Sequence, residues 1–197
     1  MALSYALGDN FHGYRIVGTD ENMFNLNVLQ EGKLQLEAGV KFNENKLEAV
    51  FGSQAAHQLK IKLGDHINSF HGTVYKEDLK HEQVFTVVGI LKPTQTPLDQ
   101  VVLIPLDAFF HTDGHVLKNN DEIIELKEQE AISDEFKELS AVMLKINPIS
   151  SFSFNQELNR QGNVATFAFL PSIVPEILEK VGWGVKVLEY VSYLVIF

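Results

Sequence analysis

Short apolar runs rich in β-branched residues recur along the chain and predict buried strands. They occupy residues 14–18, 47–51, 84–91, 101–105 and 139–146, and Gly, Pro, Asn or Asp lies at or near their ends. Runs of this length with such boundaries are typical of strands rather than of helices.

Helical patterns lie between these runs, at residues 20–25, 53–60, 106–111, 151–161 and 175–181. In the second of them, Ser53 is a residue type that caps helix N-termini, and Ala55 and Leu59 form an apolar stripe. Strands and helices interleave without a regular alternation. The predicted fold class is therefore α+β with a mixed sheet, rather than a doubly wound parallel sheet.

The last part of the chain becomes steadily more apolar, and residues 187–197 read VLEYVSYLVIF. A membrane-spanning helix needs about 20 apolar residues, so this run is roughly half of one. We expect residues 187–197 to be the start of a truncated transmembrane helix, with a buried C-terminal strand or helix as the alternative. If residues 187–197 do begin a transmembrane helix, we expect the chain to be an excised soluble piece of a membrane protein. The first residues lack the charged and apolar regions of a signal peptide.

Composition narrows the functional classes. The chain has 197 residues, of which 45% are hydrophobic and 21% charged, which is typical of one globular domain or two small ones. The balance of 16 Lys+Arg against 26 Asp+Glu gives a net charge of -10, which disfavours a nucleic-acid partner. With no cysteine, the chain has no disulfide, no thiolate metal site and no cysteine nucleophile.

The acidic excess is concentrated in residues 121–138, where eight acidic residues and two lysines account for -6 of the total charge. A solvated loop or helix face is the expected structure, and an acidic docking patch or divalent-ion site is the alternative. The spacing does not match a calcium-binding loop.

The sequence carries no catalytic signature, so we predict no catalytic residue, no cofactor and no enzyme activity for this chain. Neither a phosphate-binding glycine loop nor a G-x-G-x-x-G motif is present. Gly52-Ser53 lacks the second glycine of a nucleophile elbow.

Histidine is the residue type that suggests a second class of function. Imidazoles beside a carboxylate suit zinc or copper. His115 follows His111 at i+4, but the intervening Asp113-Gly114 predicts a turn rather than a shared helix face. Surface or core histidines are the favoured interpretation, and a metal site is the alternative. The candidate ligands are His66, His71, His81 and His111.

The order of several motifs resembles one known family, the MacB-like periplasmic core domain of FtsX/LolE-type ABC transporter permeases. The motifs are VGTDENMF at 17–24, LEAG at 36–39 with Phe42, AVFGSQAA at 49–56, LGD at 63–65, FTVVGIL at 85–91, PTQTPLD at 93–99 and VVLIPLD at 101–107. The resemblance covers roughly residues 14–186. Each motif is weak alone, and it is their order and spacing that are specific.

The resemblance implies a two-lobed domain inserted between two transmembrane helices. The membrane-proximal α+β lobe would comprise residues 1–50 and 139–186, and a β-rich lobe at 51–138 would be inserted between them. It also implies a location at the inner membrane with this domain facing the periplasm. The implied role is to couple ATP-driven helix motion to export or to release of a lipoprotein or other substrate.

The implied partners are an ABC ATPase subunit, a second permease copy and a periplasmic adaptor or lipoprotein substrate. Two departures from the family pattern stand out: Val40-Lys41 follows Gly39 where many members have Arg, and the segment 70–83 is long and carries His71 and His81. The alternative function is a periplasmic metal- or ligand-binding module based on the histidines. The permease interpretation predicts that the N and C termini lie close together on one face of the domain.

Overall fold

The computed structural model describes residues 2–25, 32–71, 80–112, 137–161, 165–168 and 170–196. The chain divides into two compact units, Met1–Leu144 (unit 1) and Lys145–Phe197 (unit 2). The segment 121–138 that carries the acidic excess lies almost entirely outside the described residues, so its predicted surface role stays a prediction.

Unit 1 is built from strands with two short helices. Its strands are β1 Ala2–Phe11, β2 Tyr14–Thr19, β3 Leu36–Gly39, β4 Glu48–Phe51, β5 His66–His71, β6 Lys80–Leu91, β7 Val101–Pro105 and β8 Ala141–Leu144. Its α-helices are α1 Ser53–Leu59 and α2 Leu106–Phe110, and 3-10 helices occupy Glu21–Phe24 and Pro97–Gln100. Each of the five predicted strand runs overlaps one of these strands, in order β2, β4, β6, β7 and β8.

Six of the strands close into a ring. The order is β2-β7-β4-β6-β5-β1, and β1 also pairs with β2. Parallel pairs (β2 with β7, β4 with β6) and antiparallel pairs occur together, so the predicted mixed sheet is confirmed. The remaining two strands are attached to the ring, β3 to β6 and β8 to β1.

Three of the ring strands, β2, β4 and β7, bury both of their faces, which explains why their sequences are continuously apolar rather than alternating. In β2, Ile16 belongs to one hydrophobic cluster and Val17 to a second one. The same division separates Val102 and Ile104 from Leu103 in β7. Because successive side chains of a strand point to opposite faces, each of these strands contributes to two cores.

One helix start differs from the prediction. Gly52, not Ser53, occupies the N-cap of α1, and Ser53 is the first helical residue. The backbone of Gly52 packs against the loop that leads into β7. A Cβ added to Gly52 would be 2.3 Å from the main-chain oxygen of Leu98 in that loop. A side chain does not fit there, so the cap is a glycine and the Ser53 hydroxyl is used elsewhere.

Unit 2 consists of two helices in its described part, α3 Pro148–Gln161 and α4 Leu170–Ile196. Both are longer than the sequence pattern predicts, and Pro175 lies inside α4 instead of beginning it. Among the described residues, no helix combines the length and apolar character needed to cross a membrane. The lobe boundaries at residues 50, 138 and 186 and the membrane role of residues 187–197 stay predictions.

Candidate functional site

The two ends of unit 1 meet in one antiparallel ladder. β1 and β8 pair in the register Ala2 with Leu144, Leu3 with Met143, Ser4 with Val142 and Tyr5 with Ala141. Strands paired in this way are about 5 Å apart. The chain therefore enters and leaves unit 1 side by side, through neighbouring strands.

A serine side chain extends this ladder beyond the end of β8. The backbone N–H of Leu7 donates to the hydroxyl of Ser140 at 2.9 Å, and the same hydroxyl lies 3.4 Å from the Leu7 carbonyl, to which it donates. The backbone N–H of Ser140 donates to the Tyr5 carbonyl at 2.9 Å. Ser140 thus reproduces a strand partner with its side chain.

A carboxylate does the same on the opposite edge of β1. The backbone N–H of Ser4 donates to Asp20 Oδ2 at 2.8 Å, just past the point where the ladder with β2 begins at Tyr5 and Thr19. Asp20 stands at the N-cap of the following 3-10 helix but makes no side-chain cap bond there. Its carboxylate continues the β1–β2 pairing instead.

Tyr5 lies between these two contacts, and its surroundings raise the pKa of its hydroxyl. Burial raises the pKa of the Tyr5 hydroxyl above its usual 10.0, and the nearby negative charge of Asp20 raises it further. The Tyr5 hydroxyl is 3.5 Å from the sulfur of Met23. The first half of β1 is therefore fixed on both edges by strand pairing and by side chains.

A second polar cluster, centred on Asp99, joins the proline-containing loop to α1. The Asp99 carboxylate accepts from the backbone N–H and the hydroxyl of Thr94 and from the backbone N–H of Gln95, each at 2.8 Å. The Ser53 hydroxyl is a further donor. Burial alone would raise the pKa of Asp99, but these hydrogen bonds outweigh it and lower the pKa below its usual 3.8.

A buried contact between a histidine and a carboxylate links β1 to β6. His81 Nε2 and Asp9 Oδ2 are 3.3 Å apart, and their side chains are only 4% and 1% exposed. Next to them, the Asn68 amide donates to the main-chain oxygens of His81 and Gln83, at 3.2 and 3.1 Å. Together these contacts fix the register of β5 and β6 where their pairing is irregular.

The candidate metal ligands do not form a group in the described part of the chain. His66 Nδ1 is 3.4 Å from the Thr86 hydroxyl, His111 Nδ1 is 2.8 Å from the main-chain oxygen of Asp107, and His81 pairs with Asp9. The backbone of His71 is in β5, but its side chain lies outside the described residues, as does His115. Within those residues, no set of three or more His, Asp or Glu is placed to hold a metal ion.

Sequence reasoning missed Ser140, Asp9 and Asp99 as contributors. Asp20 and Asp99 lie in motifs that carry the family resemblance, at 17–24 and 93–99, so a signal for them was present. Ser140 has no local signal, because its contact with Leu7 spans 133 residues of sequence.

Comparison with protein families gives one match over most of the chain. The model of the MacB-like periplasmic core domain matches residues 3–160. Apart from Ala2, this range holds all of the ring strands, the β1–β8 ladder and the Asp99 cluster. No match is found among curated proteins.

Several solved structures are similar to the chain, two of them a periplasmic region and an extracellular domain. The periplasmic region of MacB from Actinobacillus actinomycetemcomitans aligns with a TM-score of 0.51 and 12% identity, covering 90% of this chain and 75% of that one. The extracellular domain of the noncanonic ABC-type transporter YknZ from Gram-positive bacteria aligns with a TM-score of 0.37 and 17% identity. In that alignment the chain spans 56% of the length of the YknZ domain, and 56% of this chain is covered.

Proposed function

Because the chain belongs to the family of MacB-like periplasmic core domains, we propose that it is the extracytoplasmic domain of an ABC transporter permease. Its role is to couple ATP-driven motion of the membrane helices to export, or to the release of a lipoprotein or another substrate. The domain acts mechanically, and ATP is hydrolysed on a separate nucleotide-binding subunit or domain.

The observation that carries the proposal is the β1–β8 ladder. Its ends, Ala2 and Leu144, are register partners, so the two connections of unit 1 are neighbours. A domain held by two adjacent connections follows the segments that hold it as a rigid body. The closed ring with buried faces gives unit 1 the stiffness that this motion requires.

The proposed assembly contains an ABC ATPase subunit and a second permease copy in the inner membrane, with this domain on the periplasmic side. A periplasmic adaptor or a lipoprotein substrate is the proposed partner outside the membrane. The net charge of -10 supports a protein or lipid-linked partner over a nucleic acid.

The test is a nucleotide-dependent distance measurement in the full-length gene product. This chain has no cysteine, so once any cysteines elsewhere in the full-length product are replaced, Lys62→Cys in the exposed loop after α1 gives a single spin-label site in each copy. The full-length permease is purified with its ATPase and the label-to-label distance is measured with and without ATP. We expect a change in distance when ATP binds.

A matched control uses an ATPase that binds but does not hydrolyse ATP, which holds the distance at the ATP-bound value. An unchanged distance in every nucleotide state, or a product that does not fractionate with membranes, refutes the proposed function.

A further inference from the structure

We propose that β8 is a releasable latch, a strand that detaches from β1 while the ring of unit 1 stays closed. The first reason is its burial. All four of its side chains are exposed, with Val142, Met143 and Leu144 at 45%, 43% and 37%. Releasing β8 therefore uncovers less apolar surface than releasing a ring strand such as β7, in which residues 102–104 are at most 1% exposed. Burial is the main term that holds a strand in a sheet.

The second reason is the topology. The ring closes through the pairing of β1 with β2, which extends from Tyr5 to Phe11, and it does not include β8. On its other side β1 also pairs with β5 at Asp9 and Asn10. Loss of β8 therefore leaves residues 5–11 of β1 paired within the ring, while residues 2–4 keep the hydrogen bond from Ser4 to Asp20.

The third reason is that β8 is held by hydrogen bonds. Its described attachment is the backbone ladder to residues 2–5, together with the hydrogen bonds of Ser140 to Leu7 and Tyr5. A hydrogen bond that is exchanged for one with water contributes little net stability. Elements with few buried contacts and many exposed hydrogen bonds are the ones that open locally in native proteins.

The position of β8 in the chain gives the latch a use. Unit 1 ends at Leu144 and unit 2 begins at Lys145, so β8 is the last strand of unit 1 and directly precedes the junction with unit 2. When residues 139–144 leave β1, they become an extended tether of about 20 Å. In the transporter, this use rests on the proposed function: the latched state joins the two connections of unit 1, and the released state lets them separate.

Hydrogen exchange of the backbone amides in the intact chain tests the latch. We expect the amides of β8 to exchange at least about 100-fold faster than those of β4 and β7 under native conditions. Ser140→Ala removes the side-chain bonds and is expected to raise β8 exchange by a further factor of about five to ten. The exchange of β4 and β7 is expected to stay unchanged.

A disulfide closes the latch for comparison. The Ser4 amide points to Asp20, away from β8, so Ser4 and Val142 form a non-hydrogen-bonded pair whose Cα atoms are about 4.5 Å apart. That separation suits a disulfide, and the Ser4→Cys/Val142→Cys variant has no other cysteines. Oxidation is expected to slow β8 exchange and reduction to restore it.

Equal exchange rates in β8 and the ring, or a Ser140→Ala effect that spreads to β4 and β7, overturn the latch. Failure of the disulfide to form also overturns it, because the register would then be wrong. None of these outcomes depends on ATP or on a membrane. A latch found in a protein whose ATP-dependent distance does not change separates this inference from the proposed function.

Discussion

Gly39 and Gly89 are register partners in the antiparallel pair of β3 and β6. Because neither has a side chain, each leaves room for the backbone next to the other. A Cβ on Gly39 would be 2.0 Å from the Val88 oxygen, and a Cβ on Gly89 would be 2.4 Å from the Val40 oxygen. The Val40 N–H donates to that same Val88 oxygen at 2.9 Å. Both glycines belong to motifs that carry the family resemblance, and close backbone approach is the physical reason for them.

Replacing Gly39 with Ala is expected to destabilise unit 1 by at least about 2 kcal/mol. The residue has a φ of +77°, which strains an alanine, and the added methyl group collides with backbone that cannot move away. Gly64→Ala is the matched control, because Gly64 has a φ of +86° but nothing within 4 Å of a Cβ. Urea unfolding measures both variants, and equal losses would show that strain alone, without the collision, explains the effect.

The Asp99 cluster predicts a loss of stability in acid. The pKa of Asp99 is lowered in the folded chain, so its contribution is present above the usual value of 3.8 and is lost as the pH falls through the lowered pKa. Asp99→Asn is therefore expected to be less stable than the parent chain at neutral pH, and the difference should shrink below about pH 4.

Denaturant unfolding at a series of pH values follows this difference. Asp107→Asn, at a side chain that is 58% exposed, serves as the control and is expected to change stability little. A difference between the parent chain and Asp99→Asn that is constant with pH would contradict the prediction.

Tyr5 predicts an opposite effect in base. Its pKa is raised by burial and by the charge of Asp20, so its contribution to stability is complete below pH 10.0 and is lost as the pH rises through the raised pKa. In an ultraviolet titration of the five tyrosines, Asp20→Asn is expected to move one of them to a lower pKa.

Glu21→Gln, which removes a neighbouring charge engaged with Lys41, is the control for this titration. If both variants shift the same tyrosine equally, the effect comes from the general negative charge of this region and not from Asp20.

The buried pair of Asp9 and His81 predicts strong coupling between the two residues. Asp9→Leu removes the buried carboxylate that His81 Nε2 contacts, so it is expected to lose about 3 kcal/mol. The double variant Asp9→Leu/His81→Leu should recover part of that loss, because both buried polar groups are then replaced by apolar ones.

A double-mutant cycle measured by urea unfolding gives the coupling energy. The exposed pair of Lys41 and Glu21 is the comparison, with an expected coupling below about 1 kcal/mol. A coupling between Asp9 and His81 as small as that of the exposed pair would mean that the two side chains contribute independently.

The sequence predicts the ring strands β2, β4 and β7 because they are buried on both faces and therefore read as unbroken apolar runs. It does not predict β3, nor the ring strands β1 and β5. β5 reads HINSFH and includes buried Ser69 as well as Asn68, whose amide binds the backbone of β6. Polar residues that are satisfied by distant partners carry no local strand signal.

The candidate site follows the same rule. Asp20 and Asp99 lie in recognisable motifs, whereas the contact of Ser140 with Leu7 depends on two segments that only the fold brings together.

The sequence pattern also predicts a shorter α4 than the structure has. Pro175 is typical of a helix start, but in the structure it is accommodated inside the helix.

The pairing of Ala2 with Leu144 also has a consequence for how such a module is acquired by other proteins. A domain whose two ends are one strand spacing apart can be inserted into a surface turn of a host protein without moving the two ends of that turn apart. The entropic penalty for closing the host around it is correspondingly small. The adjacent ends of unit 1 thus allow the whole unit to be inserted as one piece into surface turns of unrelated proteins.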